Sequence, residues 1–280
     1  MSPRIESEIS QGVWSALEER RARSGEPVDH IVDALLAEAL DLERHSLFQV
    51  STSNALVRGV FGGVITVGDL RGHGDFGLGT FSDLDGELVM IDGDCFRATA
   101  GGVVEVADDR REVPFALVTQ FKPDVEVTIE GSASFDELAA RLDEMRPSEN
   151  LFAGVRLDGE FSRLSMRAAC KARPGENLVE ATSHQSEFDV EDLVGSLVGF
   201  WSPSYSRSIG VPGYHFHFIS DDRATGGHVL DLQAGRCHIA LHTESDLHLA
   251  LPETRDFLTA DLSGDHRDEL RTVESEHRSR

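Results

Sequence analysis

The stretch GYHFHFISDDRATGGHVLDL, residues 213–232, is the part of the sequence that best indicates how this chain folds. Aromatic and aliphatic residues alternate with histidines up to Ile219, a pattern that predicts a β-strand. Residues two apart on a strand share a face, so His215 and His217 point to one side and Phe216 to the other. The segment 221–227 is rich in Asp and Gly, which predicts a tight turn that reverses the chain.

The turn also determines which residues face each other across the hairpin. With Asp222 and Arg223 at the tip, His228 falls opposite His217 and on the same face. Three imidazoles that converge on one face are the ligand set of a catalytic zinc site with an open position. Imidazole also binds copper, iron and nickel, so the pattern predicts a metal site without settling the element. The alternative is two strand histidines that face solvent and one incidental turn histidine.

The remaining histidines form no comparable set along the sequence, and we expect each of them to be structural or solvated. They are His30, His45, His73, His184, His238, His242, His248, His266 and His277.

Outward from this hairpin, short runs rich in Val, Ile, Phe and Thr alternate with Gly and Asp clusters from Phe48 onward, which predicts a mainly β chain. One helix is predicted over Phe135–Met145, after Ser134 as its N-cap. The strands are predicted at Leu88–Ile91, Val103–Val106, Phe115–Phe121, Val125–Ile129, Leu151–Leu157, Phe161–Arg167, Leu193–Phe200, Tyr214–Ile219, Val229–Leu232 and Cys237–Leu241.

We therefore predict an α+β fold with a mixed-sheet α/β half over residues 46–148 and a mainly antiparallel, metal-binding half over 149–262. A charged tail, 263–280, follows. Before them, residues 1–45 predict a short strand around Ile5 and Ile9 and two helices separated near Gly25.

This N-terminal arm resembles the ribbon-helix-helix module, which dimerises by pairing its strands. In that family the ribbon reads DNA, but residues 1–45 hold ten acidic and five basic residues, the wrong sign for phosphate contact. We expect a dimerisation arm without DNA-binding charge, so that the protein is a homodimer. The alternative is an ordinary α-hairpin that packs on its own domain.

The composition excludes several classes of partner. Lys plus Arg is 26 and Asp plus Glu is 50, a formal net charge of −24, which repels nucleic acids and anionic membrane surfaces. The three cysteines are far apart, as expected for buried apolar residues in a reducing compartment. The N-terminus lacks the features of a signal peptide, and we expect a cytoplasmic protein without a membrane span.

Gly72-His73-Gly74-Asp75-Phe76-Gly77 matches the GxGxxG pattern of dinucleotide-binding proteins. That function requires a helix directly after the glycines, whereas Leu78-Gly79-Thr80-Phe81 continues as strand. We therefore expect a glycine-rich loop that passes close to another part of the protein.

Taken together, several segments resemble the alpha-acetolactate decarboxylase family. They are GDFGLGTF (74–81), LDGE (84–87), VPFALVTQF (113–121), NLFAGVRLDGEF (150–161), GFWSPSYSRSIGVPGYHFHFISDDRATGGHVLDL (199–232) and ALPETRDFLTADL (250–262). The resemblance covers the chain from about residue 48 to its C-terminus and leaves out the N-terminal arm.

The resemblance implies zinc on His215, His217 and His228, the residues that the hairpin had already indicated. It further implies active-site roles for Glu87, Thr80 and an arginine, which spacing puts at Arg167, with Arg156 as a nearby alternative. A C-terminal glutamate of the family reaches the site and corresponds to Glu274, with Glu276 two residues away.

The activity that this resemblance implies is decarboxylation of (S)-2-acetolactate to (R)-acetoin, with zinc as Lewis acid and no organic cofactor. Arg167 would orient the carboxylate, and Glu87 or Glu274 would protonate the enediolate. Thr80 would bond substrate or anchor the glycine-rich loop. Two alternatives are a metal-binding β-sheet protein without catalysis and an acetolactate-sensing regulator.

Overall fold

A computed structural model of the chain describes residues 6–39, 45–264, 266, 269–270 and 273. The chain divides into two compact units, Met1–Arg44 and His45–Arg280. The first unit is helical and the second is built mostly of β-strands, so the predicted α+β class is confirmed. Within the described residues, none of the helices has the length and apolar character needed to cross a membrane.

The first unit contains two helices, α1 (Gln11–Ser24) and α2 (Val28–Ala39). The Ser10 side chain caps α1 by accepting a hydrogen bond from the Val13 amide, and Gly25 ends it in the left-handed conformation with φ 75°. The predicted helices and the turn at Gly25 are therefore confirmed. The predicted N-terminal strand is wrong for residues 6–9, which have no regular secondary structure, and Ile5 lies outside the described residues.

In the second unit the described strands, in chain order, are β1 (Ser46–Val50), β2 (Ile65–Thr66), β3 (Phe76–Thr80), β4 (Glu87–Ile91), β5 (Asp94–Ala98), β6 (Val104–Val106), β7 (Glu112–Val113), β8 (Phe115–Thr119), β9 (Val125–Ile129), β10 (Phe152–Ala168), β11 (Ser186–Ser202), β12 (Gly213–Ser220), β13 (Gly226–Glu244) and β14 (Asp246–Ala250). The described helices are α3 (Ser53–Val57), α4 (Val67–Leu70), α5 (Phe135–Met145), α6 (Leu178–Thr182) and α7 (Arg255–Thr259). The predicted helix over Phe135–Met145 is confirmed, with Ser134 as its cap.

The first sheet has seven strands in the order β14-β1-β8-β3-β4-β5-β6. It is mixed, since β1 and β14 are parallel and the other neighbours are antiparallel. Alternate residues along its strands enter different apolar clusters: Val89 and Ile91 join one cluster, while Leu88 and Met90 join another. Both faces of the sheet are therefore covered, as its continuous apolar strands require.

The second sheet has five antiparallel strands in the order β10-β11-β12-β13-β9, and β10 also pairs with β13. That pairing closes four of the strands into a ring around an apolar core. Each of β10 and β13 spans two strands that the sequence predicted as separate. At the predicted breaks the β10–β13 pairing continues through β-bulges. At Gly159 an added Cβ would lie 2.4 Å from the Arg236 carbonyl oxygen, so glycine allows β10 to stay paired there.

The two sheets do not coincide with the two predicted halves of the chain, 46–148 and 149–262. β9 belongs to the predicted first half but lies in the second sheet, and β14 belongs to the predicted second half but lies in the first sheet. One apolar cluster combines residues of both sheets, among them Val89 from β4, Phe200 from β11 and Ile219 from β12. The sheets are therefore joined into one core, which holds β4 of one sheet beside β12 of the other.

Candidate active site

The three histidines of the predicted hairpin lie together in the structure. His217 is paired with His228 in the β12–β13 register, as the sequence predicts, and His215 lies two residues earlier on the same strand. The centroids of the three rings are 4.8 to 5.4 Å apart. One nitrogen from each ring lies within 4.8 Å of the other two, so the three imidazoles could hold one metal ion.

The turn that sets this register is held by its own polar side chains. The Ser220 hydroxyl oxygen accepts hydrogen bonds from the amides of Ala224 and Thr225, at 3.2 and 3.0 Å. The Asp222 carboxylate accepts a further bond from the Ala224 amide at 3.0 Å. Arg223 adopts the left-handed conformation, with φ 57°. These contacts fix the number of residues in the turn and so keep His228 opposite His217.

His217 is buried, and its orientation is set by the first sheet. Its Nδ1 atom lies 2.8 Å from the carbonyl oxygen of Leu88 on β4, so Nδ1 carries the proton and donates it. The lone pair of Nε2 is then directed toward Glu87, whose Oε2 atom is 3.5 Å away. Two acceptor atoms at this distance require a cation or a second proton between them. This is the usual arrangement of a metal-binding histidine, with the other ring nitrogen bonded to a backbone carbonyl.

Glu87 begins β4 and is held by two features of the backbone around it. Its Oε1 atom accepts a hydrogen bond of 3.1 Å from the Ala169 amide, which leaves Oε2 facing His217. Thr80, its partner in the β3–β4 register, donates a hydrogen bond of 2.9 Å from its hydroxyl to the Gly86 carbonyl oxygen. Thr80 therefore anchors the turn that precedes Glu87.

Arg167 lies next to the histidines, whereas Arg156 lies elsewhere. Arg167 is opposite His228 in the β10–β13 register and is 7% exposed. Arg156 forms ion pairs with Asp92 and Asp158, at 2.6 and 2.7 Å, away from the histidines. The structure thus favours Arg167 over Arg156 as the arginine of this site.

The three histidines, Thr80, Glu87 and Arg167 line one cavity, whose empty space of about 530 Å³ includes solvent at its open mouth. The polar groups that line it are Ser53, Thr80, Glu87, Arg167, Thr182, Gln185, His215, His217 and His228. Ser53, Thr182 and Gln185 were not indicated by the sequence, because they come from α3 and the region of α6, where no motif marks them. A metal-binding protein without catalysis has no use for Glu87 and Arg167 beside the ligands, so their presence here argues against that alternative.

The C-terminal segment also reaches this cavity. Leu270 and Val273, which belong to the predicted tail, are buried and contribute to its lining. Glu274 and Glu276 lie outside the described residues. The position of Val273 brings the chain to the cavity one residue before Glu274.

Two glycines of the GxGxxG match, Gly74 and Gly77, let a neighbouring strand approach closely. An added Cβ on Gly74 would lie 2.2 Å from the Thr119 carbonyl oxygen, and one on Gly77 would lie 2.5 Å from that of Leu117. The strand β3 begins within the match, at Phe76, so the segment lacks the helix of a dinucleotide site. The close approach predicted for this segment is therefore to β8 and its C-terminal end.

The expectation that the remaining histidines form no comparable set is wrong for His45 and His242. The structure brings both to Asp124, with one potential ligand atom from each of the three residues within 4.8 Å of the others. No local pattern in the sequence signals this cluster, because its members are separated by 79 and 118 positions and meet only through the sheets.

Comparison with known proteins gives consistent matches. The family model described as alpha-acetolactate decarboxylase matches residues 47–264. An alpha-acetolactate decarboxylase of Methanosarcina mazei is 40% identical over 250 residues, which cover 89% of this chain and 85% of the relative. The crystal structure of alpha-acetolactate decarboxylase from Bacillus subtilis strain 168 superposes with a TM-score of 0.80 at 34% identity, covering 82% of this chain and 99% of that one.

Proposed function

This chain belongs to the alpha-acetolactate decarboxylase family and catalyses the decarboxylation of acetolactate, and we propose that the reaction takes place in the cavity between the hairpin histidines and Glu87. The observation that carries the proposal is the convergence of three imidazoles, a buried glutamate and a buried arginine on one cavity. The substrate that we propose is (S)-2-acetolactate, and the products are (R)-acetoin and CO₂.

We propose that His215, His217 and His228 hold a zinc ion. The donor set fits this ion, because three neutral imidazoles with an open side are the usual ligands of catalytic zinc. The fixed tautomer of His217 supports the assignment, since its Nε2 lone pair is directed into the site. Bound there, zinc supplies a Lewis acid that stabilises the negative charge which decarboxylation places on the ketone oxygen of the substrate.

Arg167 is the group best suited to the substrate carboxylate. Its guanidinium carries a permanent charge and a planar set of donors that matches a carboxylate. Because Arg167 lies opposite His228 on the neighbouring strand, it holds the carboxylate beside the histidine site. This orientation places the bond that breaks next to the site where the electron pair is accepted.

The enediolate that remains must be protonated on one face, and a positioned carboxylic acid performs this step. We propose Glu87 or Glu274 for it, with the other orienting Arg167 or a bound water. Glu87 is supported by its orientation, since the Ala169 amide holds one oxygen while the other faces His217. Glu274 is supported by Val273, the preceding residue, which lines the cavity.

Thr80 acts as an acceptor in this scheme. Its hydroxyl proton is donated to the Gly86 carbonyl oxygen, so the oxygen lone pairs are what it offers to the cavity. A substrate hydroxyl is a matching donor. Thr80 thereby combines the two roles that the sequence left open, since it anchors a turn and faces the substrate.

We also propose that residues 1–45 form a dimerisation arm and that the enzyme works as a homodimer in the cytoplasm. Support comes from large apolar side chains that the helices of this unit expose, among them Val13 at 50% and Trp14 at 44%. Exposed apolar groups of this size are typical of an association surface.

The test is acetoin formation from racemic acetolactate by the zinc-loaded protein and by the same protein after treatment with a chelator. We expect rapid conversion of one enantiomer, loss of activity after chelation and recovery when zinc is added back. Conversion that is unaffected by complete metal removal would contradict the zinc site, and no conversion by folded, zinc-loaded protein would contradict the proposed reaction.

A further inference from the structure

A second group of metal-binding side chains lies at the opposite end of β13 from His228. His242 is near the C-terminal end of this strand, His45 directly precedes β1, and Asp124 directly precedes β9. One potential ligand atom from each lies within 4.8 Å of the others, the same limit that the three active-site histidines satisfy. None of these residues lines the active-site cavity.

His242 repeats the arrangement of His217. Its Nδ1 atom lies 2.5 Å from the carbonyl oxygen of Lys122 and donates its proton there. Its Nε2 lone pair is then directed toward a buried glutamate, with Nε2 of His242 and Oε1 of Glu244 3.5 Å apart. In the active site the corresponding distance from His217 Nε2 to Glu87 is also 3.5 Å. Both pairs thus place two acceptors face to face and need a cation or a proton between them.

Glu244 strengthens this requirement. It is 1% exposed, and among the described residues Nε2 of His242, which faces it, has no hydrogen-bond partner. A buried carboxylate is costly to ionise unless a positive charge lies beside it.

His45 and Asp124 lie at the outer side of this group and leave it accessible. Their side chains are 40% and 35% exposed, and His45 Nε2 is 3.8 Å from Asp124 Oδ1. The ring of His45 lies against that of His242, with centroids 4.6 Å apart. A rotation of the half-exposed His45 side chain would turn its nitrogen toward the carboxylates. His242 and Glu244 are buried, and they form the inner side of the group.

We propose that His45, Asp124, His242 and Glu244 form a second divalent-metal site, separate from the catalytic one. Two imidazoles and two carboxylates match the ligand preference of zinc and similar borderline metals. The net charge of −24 adds to the attraction of a cation.

The function of this site is to link the two sheets. His45 leads into β1 of the first sheet, whereas His242 and Glu244 belong to β13 and Asp124 leads into β9 of the second. An ion bound by all four therefore fixes the junction between the sheets on the side remote from the active site. Such an ion stabilises the folded state, because the unfolded chain does not hold these ligands together.

The test is a metal count on untagged full-length protein. The protein is stripped with a chelator, reloaded with Zn²⁺, passed through gel filtration and analysed by mass spectrometry for zinc per chain. We expect two ions per wild-type chain, one in H242A and one in D124N, with decarboxylase activity retained in both variants. H217A should also hold one ion but lose activity.

D124N is included because we expect it to fold like wild type: Asp124 is partly exposed, and asparagine is close to aspartate in size. A lower zinc count in D124N is therefore not explained by misfolding. We also expect Zn²⁺ to raise the thermal midpoint of H217A, which keeps the second site, and to raise it less in a combined H217A and D124N variant. One ion per wild-type chain, or a zinc count in D124N and H242A equal to that of wild type, would overturn the proposal.

Discussion

At the scale of single residues, a backbone carbonyl determines how each of two buried histidines can act. The Leu88 and Lys122 carbonyl oxygens each take the Nδ1 proton of a histidine, which leaves Nε2 as a base or ligand. The imidazole is thereby fixed in tautomer and in orientation before any ligand arrives. Such preorganisation lowers the free-energy cost of assembling the site when substrate or metal binds.

Replacing Glu87 by Gln tests its role in proton transfer. The amide keeps the shape of the side chain but cannot exchange a proton, so we expect kcat to fall by roughly 10²- to 10⁴-fold, the usual contribution of a general acid. Zinc content should stay close to that of wild type, since Glu87 is not one of the three histidine ligands. Acetoin formation and metal analysis measure the two effects.

The matched control is Glu130→Gln, because the Glu130 side chain is 88% exposed and lies outside the cavity. Full activity of the Glu87 variant at wild-type zinc content would remove Glu87 from proton transfer and leave that step to Glu274.

Thr80→Val and Thr80→Ser separate the hydroxyl of Thr80 from its methyl group. Valine removes the hydroxyl donor to the Gly86 carbonyl oxygen and leaves the Phe81 amide as its donor, so the expected loss of folding stability is about 0.5–1.5 kcal/mol, the net contribution of one hydrogen bond. We expect the valine variant to be less stable and less active, whereas serine keeps the hydroxyl and most of the activity. Urea denaturation and the acetoin assay provide the measurements, and equal stability of the two variants would contradict the anchoring role.

The three cysteines should differ in their reaction with iodoacetamide. Burial raises the pKa of Cys95 to about 12 and that of Cys237 to about 11, so at pH 8 both thiols are almost entirely protonated and unreactive. Cys170 is only partly buried, and we expect it to be labelled first. Because the thiolate is the nucleophile, labelling of Cys237 should accelerate as pH rises toward 11.

Mass spectrometry of the labelled peptides locates the modified cysteine. Protein unfolded in urea is the control, since all three thiols then react. Equal labelling of Cys237 and Cys170 in folded protein at pH 8 would contradict the predicted difference.

At the scale of secondary-structure elements, β11 positions the histidine strand through two of its glycines. Gly199 is paired with Phe216, and the Phe216 ring lies over it because glycine has no side chain. Gly195 makes a similar space for the ring of Phe218. The two rings therefore lie on the core side of β12 and direct His217, which lies between them, toward the first sheet.

Gly199→Ala should disturb this arrangement. The added Cβ would lie 2.1 Å from Cδ1 of Phe216, a fully buried ring with little room to move. We expect a loss of about 1–3 kcal/mol in the free energy of unfolding, the usual cost of overpacking, and a decrease in activity as β12 shifts. Urea denaturation and the acetoin assay measure these effects.

Gly72→Ala is the matched control, because an added Cβ there meets nothing within 4 Å and the residue is exposed. A Gly199 variant as stable and as active as the Gly72 variant would show that Phe216 does not constrain β12.

At the scale of the whole molecule, the catalytic unit and the N-terminal unit are distinct in sequence and in structure. The family match covers residues 47–264, and among the described residues all those that line the candidate active-site cavity belong to His45–Arg280. The unit Met1–Arg44 lies outside the match and exposes apolar side chains. The proposed association surface and the candidate active site therefore belong to different parts of the chain.

Removal of residues 1–44 tests this division. We expect the shortened protein to keep a specific activity within about twofold of wild type, since the family match begins at residue 47 and the described residues that line the cavity all belong to the second unit. Its molar mass should correspond to one chain, whereas the full-length protein should be a dimer. Light scattering coupled to gel filtration gives the mass, and a shortened protein that is still dimeric would contradict the proposed arm.

Local features of the sequence predicted a large part of this structure. Alternation and turn composition predicted the hairpin and its register, because strand periodicity and turn length act over a few residues. The cap at Ser134 and the glycine at Gly25 marked helix ends in the same way. At Gly159 the sequence predicted the end of a strand, because glycine is common at strand breaks. Pairing with the neighbouring strand keeps Gly159 within β10 instead.

Only the tertiary structure decided what lies beside the hairpin. Spacing in the sequence points to Arg167 and leaves Arg156 as an alternative; the closure of β10 on β13 places the former opposite His228 and leaves the latter with Asp92. His45, Asp124 and His242 likewise meet only because β1, β9 and β13 converge where the two sheets join. Such contacts depend on how sheets close and pack, and this arrangement is set by the whole core rather than by any short segment.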